Sequence, residues 1–331
     1  MKKESSEGAQ SDKPQKSLLI HAGYHKTGTT FLQKNLFIDH KVGYCSPVDR
    51  IYLRNTFIRT SPFEFDIAKI RENFMPDIDN ALEQRLIPVL SHEQFTGQPA
   101  GSGYGVRRRQ REISRKEIAE RLHACFPEGS VLIVIREQRE MIKSIYKFFV
   151  MGWQGKLSAS IEQFLDQSML KKGYGPLFNL DYLRYHDVIG YYQILFGKSN
   201  VKVLPYEWLR DNPVGFVNQI NRFMENDLAD TVSNDIVNEG YSASLCTLKR
   251  CLNRVFASPN KPGGYSNSEK RAAALIKKLN RHIPKTVHER SERKLSEKIR
   301  ELTVGLFAGS NRRTADLTGL DLAALGYEMP L

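Results

Sequence analysis

The sequence predicts an α/β fold in which helices flank a parallel β-sheet, with helical additions toward the C-terminus. Apolar runs of strand length alternate with segments of helical spacing over the first two thirds of the chain, a pattern typical of βαβ units. The clearest run, Ser130–Ile135 (SVLIVI), is apolar without alternation, as expected of a central parallel strand covered on both faces. From Tyr241 onward the pattern is helix after helix, with a Pro/Gly break at 259–264.

The composition is that of an ordinary globular protein with anionic partners. The 331 residues carry a formal net charge of +12, and 40% of them are hydrophobic and 26% charged. The sequence has no nucleic-acid-binding signature, no apolar run near the ~20 residues that a membrane span needs, and no cysteine spacing typical of zinc. We therefore expect no nucleic acid partner, no membrane span and no metal.

The chain is expected to form one folded domain after a short leader. Residues 1–16 are polar and charged, which predicts a disordered leader without the apolar core of a signal peptide. No internal repeat divides the remaining residues, so 17–331 is predicted to be a single domain. These features predict a cytoplasmic protein.

The first half of the chain contains two predicted strands separated by mixed sequence with proline breaks. The predicted elements are a strand at Leu18–Gly23, a helix from about Gly28 to Asp39, a mixed region 42–75 punctuated by Pro47, Pro62 and Pro76, a helix at Phe63–Asn73, a helix at 77–85 and a strand at Leu86–Ser91.

The second half begins with a helix start signal, because Ser114 and Glu117 are spaced as a capping box. The last segment, Asn311–Leu331, is predicted to be extended. The elements between these points are a helix at 115–125, the strand Ser130–Ile135, a helix at 138–151, a short helix near 160–170, a helix at 180–196 closed by Gly197, a strand at Asn200–Leu204 and a helix at 213–225.

The turn after the first strand has the outline of a phosphate-binding loop. From Gly23 through Gly28 the spacing is that of a Walker A motif, but Thr29 stands where the lysine should be and the lysine lies inside the loop at Lys26. Backbone N–H groups and a helix N-terminus can still hold a phosphate there. The alternative is a simple N-cap turn with an incidental lysine.

Polar and charged residues follow the predicted ends of three strands. In a parallel sheet, ligands bind outside the C-terminal ends of the strands, so these residues should converge on one site. They are Lys26, Thr27, Gly28, Thr29 and Thr30 after the first strand, His92 and Glu93 after the second, and Arg136 after the central strand, with Ser144 two turns into the following helix.

Arg136 stands where a P-loop NTPase would carry the aspartate that holds Mg²⁺. An arginine at this point indicates a phosphate clamp, in which the negative charge of the ligand is met by side chains. The alternative is a surface arginine paired with Glu137 or Glu140.

These motifs resemble the sulfotransferases that use 3′-phosphoadenosine-5′-phosphosulfate (PAPS). In that family a loop of the form Lys-[Ser/Thr]-Gly-Thr-Thr binds the 5′-phosphosulfate, and an arginine at the end of a central strand, with a serine eight residues later, binds the 3′-phosphate. The resemblance runs from about Ser17 to the C-terminus and implies a P-loop NTPase-like sulfotransferase fold. Further stretches also resemble the bacterial and glycan-directed members. These are Leu180-Asp-Tyr, Phe196-Gly197 leading into VKVLPYEWLRDNP, Arg250-x-x-Asn253 and LDLAALGY at 320–327.

The resemblance implies a metal-free, in-line transfer. Lys26 would neutralise charge on the leaving phosphate oxygen, and Ser144 would hold the 3′-phosphate and restrain Lys26 until an acceptor arrives. Cytosolic-type members use a histidine as the base near the end of the second strand, and heparan-type members use a glutamate. Neighbours on a strand face opposite ways, so one of His92 and Glu93 is expected in the cleft, and we favour Glu93 because the chain resembles the glycan-directed members more closely.

Other residues are weaker candidates. The arginine run Arg107–Arg111 is either a solvated loop or a lid that contacts an anionic acceptor. Trp153 and the tyrosines at 174, 191 and 192 could stack on adenine or sugar rings. Glu207 is expected to anchor its strand to the core rather than to do chemistry.

The expected function is transfer of a sulfuryl group from PAPS to a hydroxyl or amine of a carbohydrate or glycolipid. The alternative is a P-loop kinase acting on a small molecule or sugar, which the missing Lys-[Ser/Thr] ending and the missing strand-end acid disfavour. A third possibility is a basic module that binds anionic glycan without catalysis.

Overall fold

A five-stranded parallel sheet lies at the centre of the computed structural model, which describes residues 16–99, 113–151, 157–168, 170, 176–226, 242–256 and 283–331. The strand order is β2-β3-β1-β4-β5. Because β3 and β4 flank β1 on opposite sides, a crevice opens beyond the C-terminal end of β1. The strands are β1 (Leu19–His21), β2 (Tyr44–Cys45), β3 (Ile87–Ser91), β4 (Ser130–Ile135) and β5 (Val201–Pro205).

Helices cover both faces of the sheet. Two of them continue into a wider turn closed by a hydrogen bond over five residues, from Phe37 N to Leu32 O (2.8 Å) after α1 and from Thr60 N to Asn55 O (2.9 Å) after α2. In the described part of the chain the helices are α1 (Thr29–Phe31), α2 (Arg50–Arg54), α3 (Ile67–Glu83), α4 (Arg115–Cys125), α5 (Gln138–Met151), α6 (Ile161–Leu165), α7 (Tyr185–Phe196), α8 (Tyr206–Asp211), α9 (Pro213–Met224), α10 (Ala243–Phe256), α11 (Lys285–Thr303) and α12 (Ala308–Thr318).

The central strand β4 contributes side chains to two hydrophobic clusters, one on each face of the sheet. Val131 and Ile133 belong to one cluster, whereas Leu132 and Val134 belong to the other. Successive side chains of a strand point to opposite faces, so a strand buried on both faces is apolar at every position. The α/β fold class is confirmed, and β4 has the predicted bounds.

Most predicted helices are present. Helix α5 has the predicted bounds, and Ser114 Oγ accepts a hydrogen bond from Glu117 N (3.1 Å) at the start of α4. Glu117 does not reach back to complete the capping box, because its carboxylate pairs with Arg121 at 3.0 Å. The helix predicted at 180–196 begins later, at Tyr185, after a separate 3₁₀ turn at Leu180–Leu183.

The predicted break at Pro76 is wrong. A single helix, α3, runs through it from Ile67 to Glu83 and replaces the two short helices expected at Phe63–Asn73 and 77–85. Phe74 and Ile78, on either side of the proline, are both buried in the core. We attribute the continuous helix to this packing, which offsets the hydrogen bond that a proline removes.

The predicted extended tail at Asn311–Leu331 is also wrong at its start, because α12 covers Ala308–Thr318. This helix buries small polar side chains, so it lacks the apolar periodicity by which helices are recognised in a sequence. Asn311 Nδ2 donates to Gln138 Oε1 (3.2 Å) and to the carbonyl of Glu328 (2.9 Å). The short strand β2 was not predicted, since two residues give no pattern.

The C-terminal residues are fastened to the sheet region by buried polar contacts. Arg139 on α5 pairs with the Glu328 carboxylate. Glu207, which follows β5, accepts hydrogen bonds from Glu137 N (2.9 Å) and from the hydroxyl of Tyr327 (3.2 Å). Glu207 therefore joins β5, the start of α5 and the C-terminal segment, as an anchor would.

Some sequence predictions fall outside the described residues, including nearly all of the leader 1–16 and the Pro/Gly break at 259–264. Among the described helices, none is both long enough and apolar enough to cross a bilayer.

We expect Tyr327→Phe to lower the free energy of unfolding by about 1 kcal/mol, because the buried Glu207 carboxylate loses a hydrogen-bond donor. Urea unfolding followed by circular dichroism measures this change. The matched control is Tyr191→Phe, whose hydroxyl bonds to Glu120 at the surface and should contribute less than about 0.5 kcal/mol. Equal destabilisation by the two variants would contradict the anchoring role.

Candidate active site

The loop between β1 and α1 is held in a strained backbone conformation that suits anion binding. Lys26 has φ 66° and Gly28 has φ 81°, both in the left-handed region. Such conformations turn consecutive N–H groups toward one side and form an anion-binding concavity. A Cβ on Gly28 would lie 2.4 Å from Leu209 Cδ2, so a larger residue would not fit there.

Thr27 and Thr29 in the loop are buried, unlike Thr30. Thr27 Oγ1 donates to the carbonyl of Tyr24 at 2.6 Å, and Thr29 Oγ1 lies 3.4 Å from the same oxygen. Both side chains are buried, whereas Thr30 is exposed at the start of α1. Thr27 and Thr29 therefore stabilise the turn itself, and Thr30 is free to face a ligand.

Lys26 is an exposed cation inside this loop. Its Nζ lies 5.0 Å from the centre of the Phe148 ring. The pKa of Lys26 is lowered, first by desolvation from the surrounding protein and then by the positive charges of Arg136 and Lys147. An anion bound among these three cations would relieve their repulsion.

Arg136 connects the central strand to the loop. Its Nη1 donates to the carbonyl of Lys26 at 3.1 Å, and its guanidinium lies 4.8 Å over the Tyr206 ring. Arg136 also pairs with Glu140, which was the alternative partner expected from the sequence, since its Nη2 lies 3.7 Å from the Glu140 carboxylate. Arg136 and the loop are thus brought together as expected.

Ser144 lies two turns into α5 and is half-buried. Its hydroxyl makes no hydrogen bond to any of the described residues. The lysines beside it on this helix are both paired, Lys143 with Glu140 (2.5 Å) and Lys147 with Glu292 (2.9 Å). The hydroxyl of Ser144 is therefore available to a ligand.

His92 is buried just past the end of β3. Its Nδ1 accepts a hydrogen bond from Gln94 N at 3.0 Å. Burial lowers the pKa of His92 to about 4, although the charge of Glu93 opposes this shift. Near neutral pH the ring is therefore uncharged, and its proton must sit on Nε2, because a backbone N–H can only donate.

Glu93 is more accessible, with 26% of its side chain exposed, and it forms an ion pair with Arg50 at 2.7 Å. Burial alone would raise its pKa, but His92, Arg50 and His25 outweigh that effect and lower it. Because β3 ends at Ser91, both His92 and Glu93 lie beyond the strand, and the alternation of strand side chains does not apply to them.

His21 and His25 do not form a metal pair. His21 is fully buried, and its Nδ1 lies 2.8 Å from Ser91 Oγ, a contact that leaves its Nε2 enclosed without a partner. Burial lowers the pKa of His21 to about 3. Within the described ranges, no three His, Cys, Asp or Glu side chains are arranged to hold a metal ion.

Arg115 joins three segments around the loop, and sequence reasoning missed it. Its guanidinium donates to Tyr24 Oη (2.6 Å), to the carbonyl of Thr96 (2.8 Å) and to the carbonyl of Asp181 (3.0 Å). Arg50, the partner of Glu93, was missed for the same reason: neither arginine lies in a motif, and their partners are distant in sequence.

Several weaker candidates have structural roles or cannot be placed. Tyr192 is buried and donates to the carbonyl of Phe95 at 3.0 Å, and Tyr191 bonds to Glu120 at the surface. Asn253 donates to the carbonyls of Val150 and Leu157. The arginine run Arg107–Arg111, Trp153 and the tyrosine at 174 lie outside the described residues.

Comparison with known proteins assigns the class of the chain. Residues 16–300 match the family described as "Sulfotransferase domain", so the chain belongs to that family. It is a sulfotransferase, an enzyme that moves a sulfuryl group to an acceptor. No curated protein matches the chain.

Solved structures similar to this chain are also sulfotransferases. A sulfotransferase from Alicyclobacillus acidocaldarius shares 19% identity over 67% of this chain and 85% of its own, with a TM-score of 0.47. The sulfotransferase domain from the curacin biosynthetic pathway shares 12% identity over 78% and 96%, with a TM-score of 0.36. A mouse sulfotransferase complexed with PAP shares 12% identity over 85% and 89%, with a TM-score of 0.31.

We expect Arg50→Ala to raise the pKa of Glu93, because the substitution removes one of the positive charges that lower it. NMR titration of the glutamate side-chain carboxyl carbons measures the change, with the signal assigned by its loss in Glu93→Gln. Arg59→Ala, on the segment that follows α2, is the control and should leave the pKa of Glu93 unchanged. An unchanged pKa in Arg50→Ala would show that the ion pair does not hold in solution.

Proposed function

We propose that this sulfotransferase moves the sulfuryl group of PAPS to a hydroxyl or amine of a carbohydrate or glycolipid, by metal-free in-line displacement. The observation that carries the proposal is the hydrogen bond from Arg136 to the carbonyl of Lys26. The left-handed backbone of the loop supports phosphate binding, and this bond brings the cations of Arg136 and Lys26 to the same loop. Their combined positive charge suits a ligand that carries several negative charges, as PAPS does.

The residues fit PAPS as a substrate. The loop from Lys26 to Thr30 would hold the 5′-phosphosulfate through its backbone N–H groups, and Arg136 and Ser144 would hold the 3′-phosphate. The guanidinium of Arg136 is supported by the Tyr206 ring, and the hydroxyl of Ser144 has no hydrogen bond to another described residue. Both features support the proposed anion site.

The acid that follows Arg136 does not replace a metal-binding aspartate. Glu137 is buried, and its Oε2 accepts a hydrogen bond from Glu140 N at 2.8 Å at the start of α5. Burial raises its pKa. Its role at the helix start disfavours the P-loop kinase alternative, which needs a strand-end acid facing the phosphates.

In the proposed reaction an acceptor oxygen or nitrogen forms a bond to sulfur as the bond from sulfur to the 5′-phosphate oxygen breaks. The electron pair of the broken bond goes to that phosphate oxygen, giving PAP, and Lys26 neutralises the charge that develops there. The proton of the acceptor goes to a base at the end of β3. The total charge balances, because the sulfated acceptor gains one negative charge while the base takes up one proton, and no redox step is involved.

The contacts at the end of β3 support Glu93 rather than His92 as that base. Both nitrogens of His92 are occupied in its neutral form, Nδ1 by Gln94 N and Nε2 by its own proton. Glu93 is ionised and uses Oε2 for Arg50, and its other oxygen can accept a proton. The carbohydrate or glycolipid acceptor rests on the resemblance to glycan-directed members and on the positive net charge.

Transfer of labelled sulfate from PAPS to N-deacetylated heparosan, unsulfated chondroitin and a glycolipid tests the proposal, with and without EDTA. We expect transfer to at least one of these acceptors, and we expect it to survive EDTA. PAP should stabilise the protein against heat more than ATP does. Stabilisation by ATP together with Mg²⁺ but not by PAP would favour the kinase alternative and overturn the proposal.

We expect Lys26→Ala to lower kcat by about 10²- to 10³-fold with little change in PAP affinity, because the lysine acts on charge that develops during transfer. Steady-state kinetics and calorimetric PAP binding separate the two effects. Lys34→Ala, on the same helical segment beyond the loop, is the control. A loss of PAP affinity as large as the loss of kcat would count against the leaving-group role.

We expect Glu93→Gln to lower kcat by about 10²- to 10⁴-fold, the usual contribution of a general base, and His92→Asn to lower it far less. Wild-type activity should fall as the pH drops through the pKa of Glu93, which lies below the usual value for a glutamate. A His92→Asn variant as inactive as Glu93→Gln would reverse the assignment.

A further inference from the structure

His25 is the residue before Lys26, and its side chain has no role in the reaction steps proposed for Lys26 and Glu93. Its side chain is half-buried. The charged groups that act on it are Glu93, the favoured base, and Lys26, the leaving-group cation. In the proposed reaction the sulfuryl group is released beside Lys26, so the adjacent residue His25 borders its path.

Tyr182 holds His25 by two hydrogen bonds. Its hydroxyl accepts from the backbone N of His25 at 3.1 Å and lies 3.1 Å from His25 Nδ1. Because the oxygen already accepts from the backbone, its hydrogen is available to Nδ1. When Tyr182 donates that hydrogen to Nδ1, the ring proton of neutral His25 is on Nε2, on the opposite side of the ring.

Tyr182 is itself fixed and cannot easily release the ring. It is 3% exposed and packs edge-on against Tyr24, with ring centres 5.0 Å apart. The guanidinium of Arg115 lies 5.4 Å over the Tyr182 ring. The hydroxyl that sets the orientation of His25 is thus supported by packing on more than one side.

The second ring nitrogen of His25 differs from that of His21. Nε2 of His21 is enclosed, but Nε2 of His25 is not among the enclosed atoms and has no partner among the described residues. It is therefore accessible for a hydrogen bond to a ligand. The ring stays uncharged near neutral pH, because burial lowers its pKa to about 4 even though Glu93 opposes that shift and Lys26 adds to it.

We infer that His25 is a catalytic residue that donates a hydrogen bond from Nε2–H to a non-bridging oxygen of the sulfuryl group during transfer. The inference rests on the proposed function. His25 keeps its proton throughout, since the acceptor proton goes to Glu93 and the electron pair of the broken bond goes to the phosphate oxygen. A neutral donor fits this position, because a charged histidine would add a further positive charge beside Lys26 and be repelled by it.

The proton position can be measured without activity. In ¹⁵N-histidine-labelled protein at pH 7, we expect His25 to have a protonated Nε2 and an unprotonated Nδ1, with its signals assigned by their loss in His25→Asn. Tyr182→Phe should give a mixture of the two tautomers. A proton on Nδ1 in the wild type, or a ring that becomes charged near pH 6.5, would overturn the inference.

Two substitutions separate the ring nitrogens in kinetics. The amide of His25→Asn can replace Nδ1 but not Nε2, whereas His25→Gln can place an N–H near Nε2. We expect His25→Asn to lower kcat about 10²-fold with the KM for PAPS within twofold, and His25→Gln to recover about tenfold of the loss. The readout is sulfate transferred from labelled PAPS to the best acceptor of the panel and, without acceptor, to water.

The exposed His40 supplies the control variant, His40→Asn, which should behave as the wild type. Equal losses in His25→Asn and His25→Gln, or a change in KM alone, would show a structural or binding role and overturn the inference. If the wild type transfers sulfate and His25→Asn matches it, this inference alone fails. If the wild type neither transfers sulfate nor is stabilised by PAP, both the proposed function and the inference fail.

Discussion

The hydrogen bond between Arg136 and the Lys26 carbonyl depends on a difference in strand length. β1 ends at His21, which pairs with Leu132, whereas β4 continues to Ile135. The longer strand therefore projects past the shorter one by three residues, and the residue after it reaches the loop that β1 feeds. This contact holds the left-handed backbone of Lys26, and the candidate anion site lies around it.

The opposite side of the loop is tied to β3 in a comparable way. His92 N donates to the carbonyl of His21 (3.2 Å), and Thr96 Oγ1 donates to the carbonyl of Gly23 (3.1 Å). These bonds fix the distance between the loop and the residues that follow β3. Arg136 thus follows the strand on one side of β1, and Glu93 follows the strand on its other side.

Sequence reasoning predicts the parts of the candidate site that lie in short, contiguous motifs. The loop from Lys26 to Thr30 and the pair Arg136 and Ser144 are each defined by local spacing, and the apolar strand β4 is recognisable because both of its faces are buried. It could not find Arg50 or Arg115, since each acts on a partner that only the fold brings near. It also misjudged α12, where buried polar side chains hide the helical period.

The choice between His92 and Glu93 likewise depends on a contact that the sequence does not reveal. The sequence places both residues at the strand end, and the alternation of strand side chains predicts that one of them faces the cleft. In the structure both lie past the strand, and the relevant difference is the hydrogen bond that Gln94 N gives to His92 Nδ1. A backbone N–H two residues away carries no sequence signal, because every residue except proline has one.

The ion pair between Arg139 and Glu328 has a consequence for synthesis of the chain. The two residues are separated by 189 positions. At bacterial or eukaryotic translation rates, roughly 10 to 40 s pass between the appearance of the first residue and that of the second. Helix α5 begins two residues after Arg136. During that time its polar face is not covered by the C-terminal segment. The nascent chain therefore lacks the support that Glu328 gives to α5, and during that interval chaperone binding or misfolding would compete with completion of the fold.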